Sequence, residues 1–352
     1  MKVCYFGIYD PNNSRNRGLI KGLKENGLEV IECRVDAREK HKYWKLFKKH
    51  RKIQNYDLMI VGFPGHSVMP LAKLVCRKPI IFDAFVSLYD STVFDRRSAS
   101  PYSFEAVKCW FLDWFSCRLA DKVILDTEEH IEYFVKTFGL RRGKFKRILV
   151  GSDESFFYPQ NCPKDIDGFL VLFQGSYIPL HGIEYIIKAA KKLEKENIRF
   201  KLFGTGQTHK MAVELSHKLQ VKNIDFMKPV PEKELAKQIS RADVCLGIFG
   251  GTPKAKRVIP HKVYDALACG KPVVSGESPA AKELLTNREN VLFCQMACPD
   301  DLAEKILELK NNPRLRNQIA EKGYQLFRQR LTPKVLGKEL KKIIYQICPK
   351  NF

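Results

Sequence analysis

The chain has 352 residues, of which 45% are hydrophobic and 28% are charged. At about 150 residues per domain this length suggests two domains, and the composition excludes a disordered or collagen-like chain. Lysine and arginine outnumber aspartate and glutamate by 61 to 39, which leaves a net charge of +22. Such an excess favours a partner rich in negative charge, namely nucleic acid, anionic lipid or a phosphorylated metabolite.

The cysteines and the apolar stretches indicate the compartment in which the protein is expected to function. Eleven cysteines without a C-x-x-C pair are too sparse for a disulfide scaffold and indicate a reducing compartment. Met1-Lys2 leads directly into an apolar strand, so we expect no signal peptide. The apolar stretch Leu58–Ala72 is interrupted by prolines and glycine and is too short to span a bilayer. We therefore expect a cytoplasmic protein without a transmembrane segment.

Short apolar runs alternate with helical stretches through the first part of the chain. The runs that predict strands are Val3–Ile8, Leu28–Cys33, Asp57–Val61, Pro79–Phe82, Lys122–Leu125 and Phe145–Val150. Helical patterns cover Arg17–Glu25, Phe104–Ala120 and Glu128–Phe138. Strands that alternate with helices predict a parallel sheet covered on both faces.

A polar break at residues 160–168 separates a second series of strands and helices from the first. The second series begins at Phe169–Phe173 and ends with Val291–Cys294. We predict an α/β protein with two Rossmann-like, doubly wound parallel-sheet domains that face a cleft. The N-terminal domain is 1–159, the C-terminal domain is 160–330, and a last helix within 331–352 packs back on the first domain. Ligands of such folds bind at the carboxyl ends of the strands.

The stretch from Gly247 to Val274 carries the residues with the clearest chemistry. A predicted strand ends in a glycine-rich loop that contains Lys254 and Arg257, and a helix follows with Lys262 in its first turn. A helix N-terminus next to basic side chains suits a diphosphate, because free N–H groups and the helix dipole favour anions. Asp265 lies in the next turn, where a carboxylate can accept hydrogen bonds from ribose hydroxyls.

The run from Asp265 to Val274, DALACGKPVV, resembles the signature of the retaining glycosyltransferases of family 4, which have the GT-B fold. The resemblance implies transfer of a sugar from a nucleotide-diphosphate sugar to an acceptor hydroxyl, with Asp265 on the donor ribose. One position departs from the family's E-x7-E pattern, because Arg257 stands where a glutamate is expected. Lys254, Arg257 and Lys262 are therefore expected to contact the donor phosphates.

Three further segments resemble the donor-binding loops of that family. In FQGSYIPLHGIE, Gly175 allows close backbone approach to a phosphate, while Ser176 and His181 replace the family's basic residues. Gly204 belongs to a second glycine turn, and Val230 ends the run IDFMKPV, which resembles the loop that meets the nucleotide base. For His181 a purely structural role in the core is the open alternative.

The first domain supplies the catalytic candidate. Asp83 follows a predicted strand and stands where relatives carry a histidine or another polar residue near the reacting sugar, with Asp90 and Asp95 as lesser candidates. Arg15 and Arg17 replace the family's glycine pair after the first strand; they either close over the donor phosphates or begin a solvent-exposed helix. No Asp-x-Asp motif is present. We expect no metal and no cofactor, since basic groups can stabilise the leaving diphosphate.

A basic segment predicts contact with a membrane. Lys40–Lys52 holds seven basic residues and no acidic one. On a helix, lysines form one stripe, and an apolar stripe flanked by Trp44 lies opposite, made of Tyr43, Leu46, Phe47, His50 and Ile53. This pattern suits an interfacial helix on anionic lipid, so we expect a protein that is peripheral on the inner face of the membrane. The expected partners are a nucleotide-sugar donor and a glycan or lipid-linked acceptor, in cell-surface glycan or glycolipid synthesis. Alternatively, the apolar stripe packs on the first sheet and the lysines are solvated.

Other functional classes lack their motifs. No G-x-G-x-x-G follows a first strand, and Gly270-Lys271 is followed by proline, which excludes a P-loop. No nucleic-acid reader motif appears, so we expect no nucleic acid partner. The remaining rival is a catalytically idle GT-B scaffold that binds a nucleotide or a partner, which Arg257 in place of the glutamate makes plausible. A turnover assay separates this rival from the enzyme.

Overall fold

The computed structural model describes residues 1–164 and 166–349. The chain divides into two compact units, and the main division falls between residues 150 and 151. Residues 151–331 and 94–96 make up the second unit, and the rest of the chain makes up the first. This division lies nine residues before the predicted one. Residues 151–159 pack within the second unit, where the Ser152 N–H donates to the Leu331 carbonyl oxygen at 3.3 Å.

The first unit is built on a six-stranded parallel sheet. Its strands are β1 (Lys2–Ile8), β2 (Glu29–Val35), β3 (Leu58–Val61), β4 (Ile80–Phe85), β5 (Lys122–Leu125) and β6 (Phe145–Arg147). They pair in the order β2-β1-β3-β4-β5-β6, with Val3 opposite both Val30 and Leu58. The inner strands are short, continuous apolar runs because both faces of a parallel sheet are buried.

Helices cover both faces of this sheet. The helices of the unit are α1 (Ser14–Glu25), α2 (Lys42–His50), α3 (Met69–Val75), α4 (Phe104–Leu119), α5 (Glu128–Phe138) and the last helix of the chain (Pro333–Ile347). Helices α2 to α5 pack on the face that carries Phe6 and Phe82. On the opposite face α1 and the last helix cross closely, since a Cβ on Gly22 would lie 2.1 Å from the Pro333 carbonyl oxygen.

The second unit repeats the architecture. Its strands are β7 (Phe169–Gln174), β8 (Ile198–Phe203), β9 (Ile224–Met227), β10 (Val244–Leu246), β11 (Val273–Gly276) and β12 (Leu292–Cys294). Its helices are α6 (Ile183–Lys192), α7 (His209–Lys218), α8 (Glu232–Arg241), α9 (His261–Ala268), α10 (Pro279–Lys282), α11 (Pro299–Asn311) and α12 (Pro313–Arg330). The parallel strands lie in the order β12-β11-β10-β7-β8-β9. Strands β8 and β9 are therefore added on one side of β7, and the strand order then reverses, with β10 to β12 on the other side. Ligands of such sheets bind at the carboxyl ends beside this reversal.

Candidate donor site

Two glycine turns stack at the carboxyl ends of β7 and β8. The Gly175 N–H donates to the Phe203 carbonyl oxygen, and the Gly204 N–H donates to the Met227 carbonyl oxygen, both at 3.0 Å. Gly175 has φ +140° and Gly204 has φ +143°, a backbone conformation that residues other than glycine rarely adopt. A Cβ on Gly204 would lie 1.9 Å from the Gly175 carbonyl oxygen. Glycine is therefore required for the two turns to lie against each other.

A pocket of about 280 Å³ opens at this edge of the sheet. It is lined by Gln174, Gly175, Ser176, Phe203, Gly204, Thr205, Pro229, Val230 and Leu235. Four predicted donor-binding residues, from both glycine turns and the loop after β9, thus come together in one cavity. The other five were not predicted individually, although Gln174 and Pro229 lie in predicted donor-binding segments. Gln174 and Phe203 are the last residues of their strands, so the preference of ligands for strand ends was the available signal.

Lys262 and His181 lie beside the first glycine turn. Lys262 is in the first turn of α9 and is 6% exposed. Its Nζ lies 3.0 Å from His181 Nε2 and 4.7 Å from the centroid of the Phe173 ring. A Cβ on Gly175 would lie 3.1 Å from this Nζ and 3.3 Å from His181 Cε1. The amine therefore stands directly behind the backbone that lines the pocket.

The environment of Lys262 leaves its charge poorly compensated. His181 Nδ1 donates to the Ser176 carbonyl oxygen, so its Nε2 carries the lone pair that accepts from Lys262. Burial, followed by the Lys262 charge, lowers the pKa of His181 well below its usual value, which keeps the ring neutral. Burial also lowers the pKa of Lys262 to about 7. A buried amine against a neutral ring is stabilised in its charged form when an anion binds nearby.

Asp265 lies one turn after Lys262 on α9 and is 2% exposed. Its Oδ1 accepts from Ser152 Oγ at 2.7 Å, and its Oδ2 accepts from Gln174 Nε2 at 3.0 Å. His261 Nδ1 lies 3.3 Å from the same Oδ2. The structure thus places the carboxylate behind Gln174, which lines the pocket, and the ribose contact of Asp265 stays a prediction.

The two basic residues of the loop after β10 differ in their placement. Lys254 is 7% exposed, and its charge contributes to the lowered pKa of His181, so it lies in the same neighbourhood. Arg257 is half-buried at the end of a short turn that the Thr252 hydroxyl caps by accepting from the Ala255 N–H. Neither side chain is among those that line the pocket. Their contacts with donor phosphates remain predictions.

Asp83, the predicted catalytic residue, is fully buried in the first unit. Arg15 pairs with it in a bidentate fashion, with Nε 3.0 Å from Oδ2 and Nη2 3.1 Å from Oδ1. Arg15 Nη1 also donates to the carbonyl oxygens of Ile148 and Leu149, at 2.9 and 2.8 Å. Since Arg15 is 2% exposed, the expectation of a solvent-exposed helix start is wrong for this residue. The surroundings of Asp83 favour a positioning role, and its catalytic role stays a prediction.

The described part of the chain holds neither a cluster of metal ligands nor a membrane-spanning helix. Residues 1–164 and 166–349 contain no group of three or more His, Cys, Asp or Glu side chains that could hold a metal ion. In the same residues, no helix is both long and apolar enough to cross a bilayer.

Part of the chain is similar in sequence to known glycosyltransferases. Residues 156–326 match the model of the family described as glycosyl transferases group 1. An uncharacterized glycosyltransferase of Methanocaldococcus jannaschii is 28% identical over 152 residues, which are 43% of this chain and 41% of that protein. A D-inositol 3-phosphate glycosyltransferase of Kribbella flavida is 25% identical over 221 residues, which are 57% of this chain and 51% of that protein. The chain thus spans about half the length of these curated relatives.

Solved structures share the fold along nearly the whole chain. HepE of Anabaena, in complex with UDP, has a TM-score of 0.74 at 15% identity and covers 98% of this chain and 100% of its own. Sucrose-phosphate synthase of Thermosynechococcus elongatus has a TM-score of 0.79 at 15% identity, with 98% of both chains covered. The predicted fold class is confirmed. The chain thus has the GT-B fold, and its residues 156–326 are similar to the glycosyl transferases group 1 family.

Proposed function

We propose that the protein is a retaining glycosyltransferase of family 4 that moves a sugar from a nucleotide-diphosphate sugar to an acceptor hydroxyl. The observation that carries this proposal is the pocket between the glycine turns of Gly175 and Gly204, with Lys262 buried against its wall. HepE of Anabaena has been solved with UDP and with UDP-glucose. Uridine nucleotides are therefore the first donors to test.

The pocket offers a different chemistry to each part of such a donor. Pro229, Val230 and Leu235 form an apolar wall that suits the base. Gln174, oriented by Asp265, offers an amide toward the ribose. The diphosphate would lie nearest the Gly175 turn, with Lys262 behind it.

Lys262 is the residue best placed to assist departure of the nucleoside diphosphate. As the bond to the sugar breaks, negative charge grows on the leaving phosphate oxygen. The ammonium of Lys262 and the N-terminus of α9, which has no side-chain cap, would stabilise that charge. In this proposal, protein groups stabilise the charge of the leaving diphosphate.

The test is a screen of nucleotides by calorimetry and of nucleotide sugars by hydrolysis. Lys262→Ala should reduce affinity for UDP more than affinity for uridine, because uridine lacks the phosphates. The matched control is Lys256→Ala, an exposed lysine in the preceding loop, which should change neither affinity. Equal losses for UDP and uridine would mean that Lys262 has a structural role only.

The idle scaffold is the second candidate function. Two observations favour it, namely Arg257 in place of the expected glutamate and the closed ion pair between Asp83 and Arg15. A protein that binds UDP tightly but neither hydrolyses nor transfers any sugar of a broad donor panel would be such a scaffold. Turnover with one donor would exclude it.

The acceptor and the cellular place complete the proposal. We assign the protein to cell-surface glycan or glycolipid synthesis, with a glycan or lipid-linked acceptor. The basic segment Lys40–Lys52 supports a peripheral position on the inner, anionic face of the membrane. Fractionation of cells with and without a high-salt wash tests this location directly.

A further inference from the structure

Helix α4 exposes an apolar stripe to solvent. Phe104, Val107 and Phe111 are 84%, 59% and 47% exposed, and their spacing of three and four residues places them on one side of the helix. Tyr102, just before the helix, is 95% exposed. The opposite side of α4 packs inward through residues such as Ala106 and Cys117. A contiguous exposed apolar surface of this kind marks an interaction site.

Helix α2 exposes aromatic side chains on the same layer of the unit. Trp44 is 57% and Tyr43 is 42% exposed, while Leu46 is fully buried against the sheet. The packing alternative therefore holds for Leu46 and His50, whereas Tyr43 of the same stripe and the flanking Trp44 are exposed. The Trp44 ring stacks on Phe47 at 5.4 Å between centroids, and Lys48 Nζ lies 5.2 Å above it. A lysine over an aromatic ring is a cation–π contact, and lysines together with exposed aromatic residues are typical of interfacial helices.

The two helices belong to one surface. Helix α3 contacts both α2 and α4 and exposes Leu74, which is 81% exposed. Helix α4 ends at Leu119, just before β5 begins at Lys122, so α4 runs from the carboxyl edge of the sheet to its amino edge. Its first turn, with Phe104 and Val107, therefore lies toward the carboxyl edge, where substrates of such sheets bind.

The charge around this surface identifies its occupant. Residues 40–93 and 97–120, which belong to the first unit, contain thirteen lysines and arginines against five acidic residues. Three of the five acidic side chains are buried, namely Asp83, Asp90 and Asp113. Outward-facing basic side chains beside exposed aromatic ones complement the negative headgroups and the apolar boundary of an anionic bilayer.

We infer that the exposed residues of α2 and α4, which we call the aromatic face, dock together on an anionic lipid bilayer. The face consists of Tyr43, Trp44, Tyr102, Phe104, Val107 and Phe111 with the surrounding lysines and arginines. Docking holds the carboxyl edge of the first sheet near the lipid surface. This inference deepens the proposed membrane partner and rests on it, whereas donor binding is independent of it.

The experiment is flotation of the full chain with vesicles of phosphatidylcholine, with and without phosphatidylglycerol. Wild type should float with the anionic vesicles at low salt and dissociate at high salt. Phe104→Ser with Phe111→Ser should weaken binding about tenfold or more. Lys48→Glu with Lys52→Glu should weaken it about 25-fold, at roughly fivefold per lost basic residue.

Matched substitutions in the second unit serve as controls. Met211→Ser and Lys210→Glu change exposed residues of α7 and should leave flotation unchanged. The inference is overturned if wild type ignores anionic vesicles, or if the α4 variant floats like wild type. It is also overturned if wild type is a dimer that the α4 variant dissociates, since a second copy would then cover the face. UDP affinity, measured in parallel, should be unchanged in every variant, so a failure of docking and a failure of the proposed donor chemistry are distinguishable.

Discussion

The two carboxyl edges of this protein share a topology and differ in their electrostatic state. In the second unit the strand ends open into glycine turns and a pocket, and the buried Lys262 has a neutral ring as its hydrogen-bond partner. In the first unit Arg15 and Asp83 neutralise each other in the interior. In the same unit, Asp113 accepts hydrogen bonds from Ser87 Oγ at 2.7 Å and from the N–H groups of Leu88 and Tyr89 at 3.0 and 2.9 Å.

The difference shows what each edge can do. Burial lowers the pKa of Lys262 more than the nearby Asp265 charge raises it, so the Lys262 edge gains stability when an anion binds. A buried ion pair that is already hydrogen-bonded has no uncompensated charge for a ligand to neutralise, and losing one partner is strongly destabilising. The second edge is therefore suited to ligand binding, and the first is suited to holding its loops in place.

The largest expected effect comes from removing Arg15 from its buried ion pair with Asp83 in the first unit. Arg15→Ala should lower the free energy of unfolding by about 3–5 kcal/mol, because it leaves the buried Asp83 carboxylate without its partner. Urea denaturation measures this loss. Lys24→Ala on the same helix is the control; its ion pair with Glu32 is half-exposed, and it should cost less than about 1 kcal/mol.

The double variant sharpens this prediction. If Arg15 and Asp83 act mainly on each other, Arg15→Leu with Asp83→Leu should be more stable than the sum of the single losses predicts. Strict additivity of the two losses would contradict the coupling that the structure indicates.

The second largest effect is expected from a substitution in the stacked glycine turns of the second unit. Gly204→Ala should lower stability by about 2–4 kcal/mol and reduce UDP affinity, since the new Cβ would collide with the Gly175 carbonyl oxygen at a strained φ. Thermal unfolding and calorimetry measure the two losses. Gly18→Ala, in α1 with no atom within 4 Å of the new Cβ, should instead raise stability by up to about 1 kcal/mol. Unchanged UDP binding in Gly204→Ala would place the donor elsewhere.

The strands that form both edges could be predicted from the sequence because their positions depend on local residue patterns. Strands such as Lys122–Leu125 and Phe169–Gln174 are short apolar runs between turn residues, so their positions follow from pattern alone. Gly175 and Gly204 could be assigned to one site because their segments resemble the donor-binding loops of family 4, and the parallel strands before them end at a common edge. Arg15 and Asp83 are 68 residues apart, and no local pattern reveals such a partner. Periodicity likewise could not decide that Leu46 faces the sheet and Trp44 faces solvent.

A smaller effect tests what Asp265 contributes. Asp265→Ala should weaken UDP binding by about 1–3 kcal/mol, through either a lost ribose contact or a misplaced Gln174. Gln174→Ala separates the two, because it removes the amide and leaves the carboxylate. If Gln174→Ala binds UDP normally while Asp265→Ala does not, the carboxylate contacts the ribose itself. Normal binding by both variants would remove Asp265 from the site.

The smallest effect is a pH dependence that belongs to Lys262. Its pKa of about 7 means that the amine is charged below neutral pH and loses its proton as the pH rises. A bound diphosphate favours the charged form, so binding above pH 7 must be accompanied by uptake of a proton. Affinity for UDP should therefore fall as the pH rises above 7, by at most about tenfold per pH unit.

The comparison with Lys262→Met isolates this contribution. UDP ionises identically with both proteins, so the difference between their pH profiles reports the protein alone. Burial lowers the pKa of Lys262 more than the Asp265 charge raises it. Burial, followed by the Lys262 charge and with a smaller contribution from Lys254, holds the pKa of His181 well below its usual value, so His181 does not titrate in this range. Wild type should lose its advantage over Lys262→Met progressively above pH 7, as followed by calorimetry in buffers of different ionisation enthalpy. Parallel profiles, with no proton uptake by wild type, would show that the Lys262 charge does not face the diphosphate and that the second edge is as fully neutralised as the first.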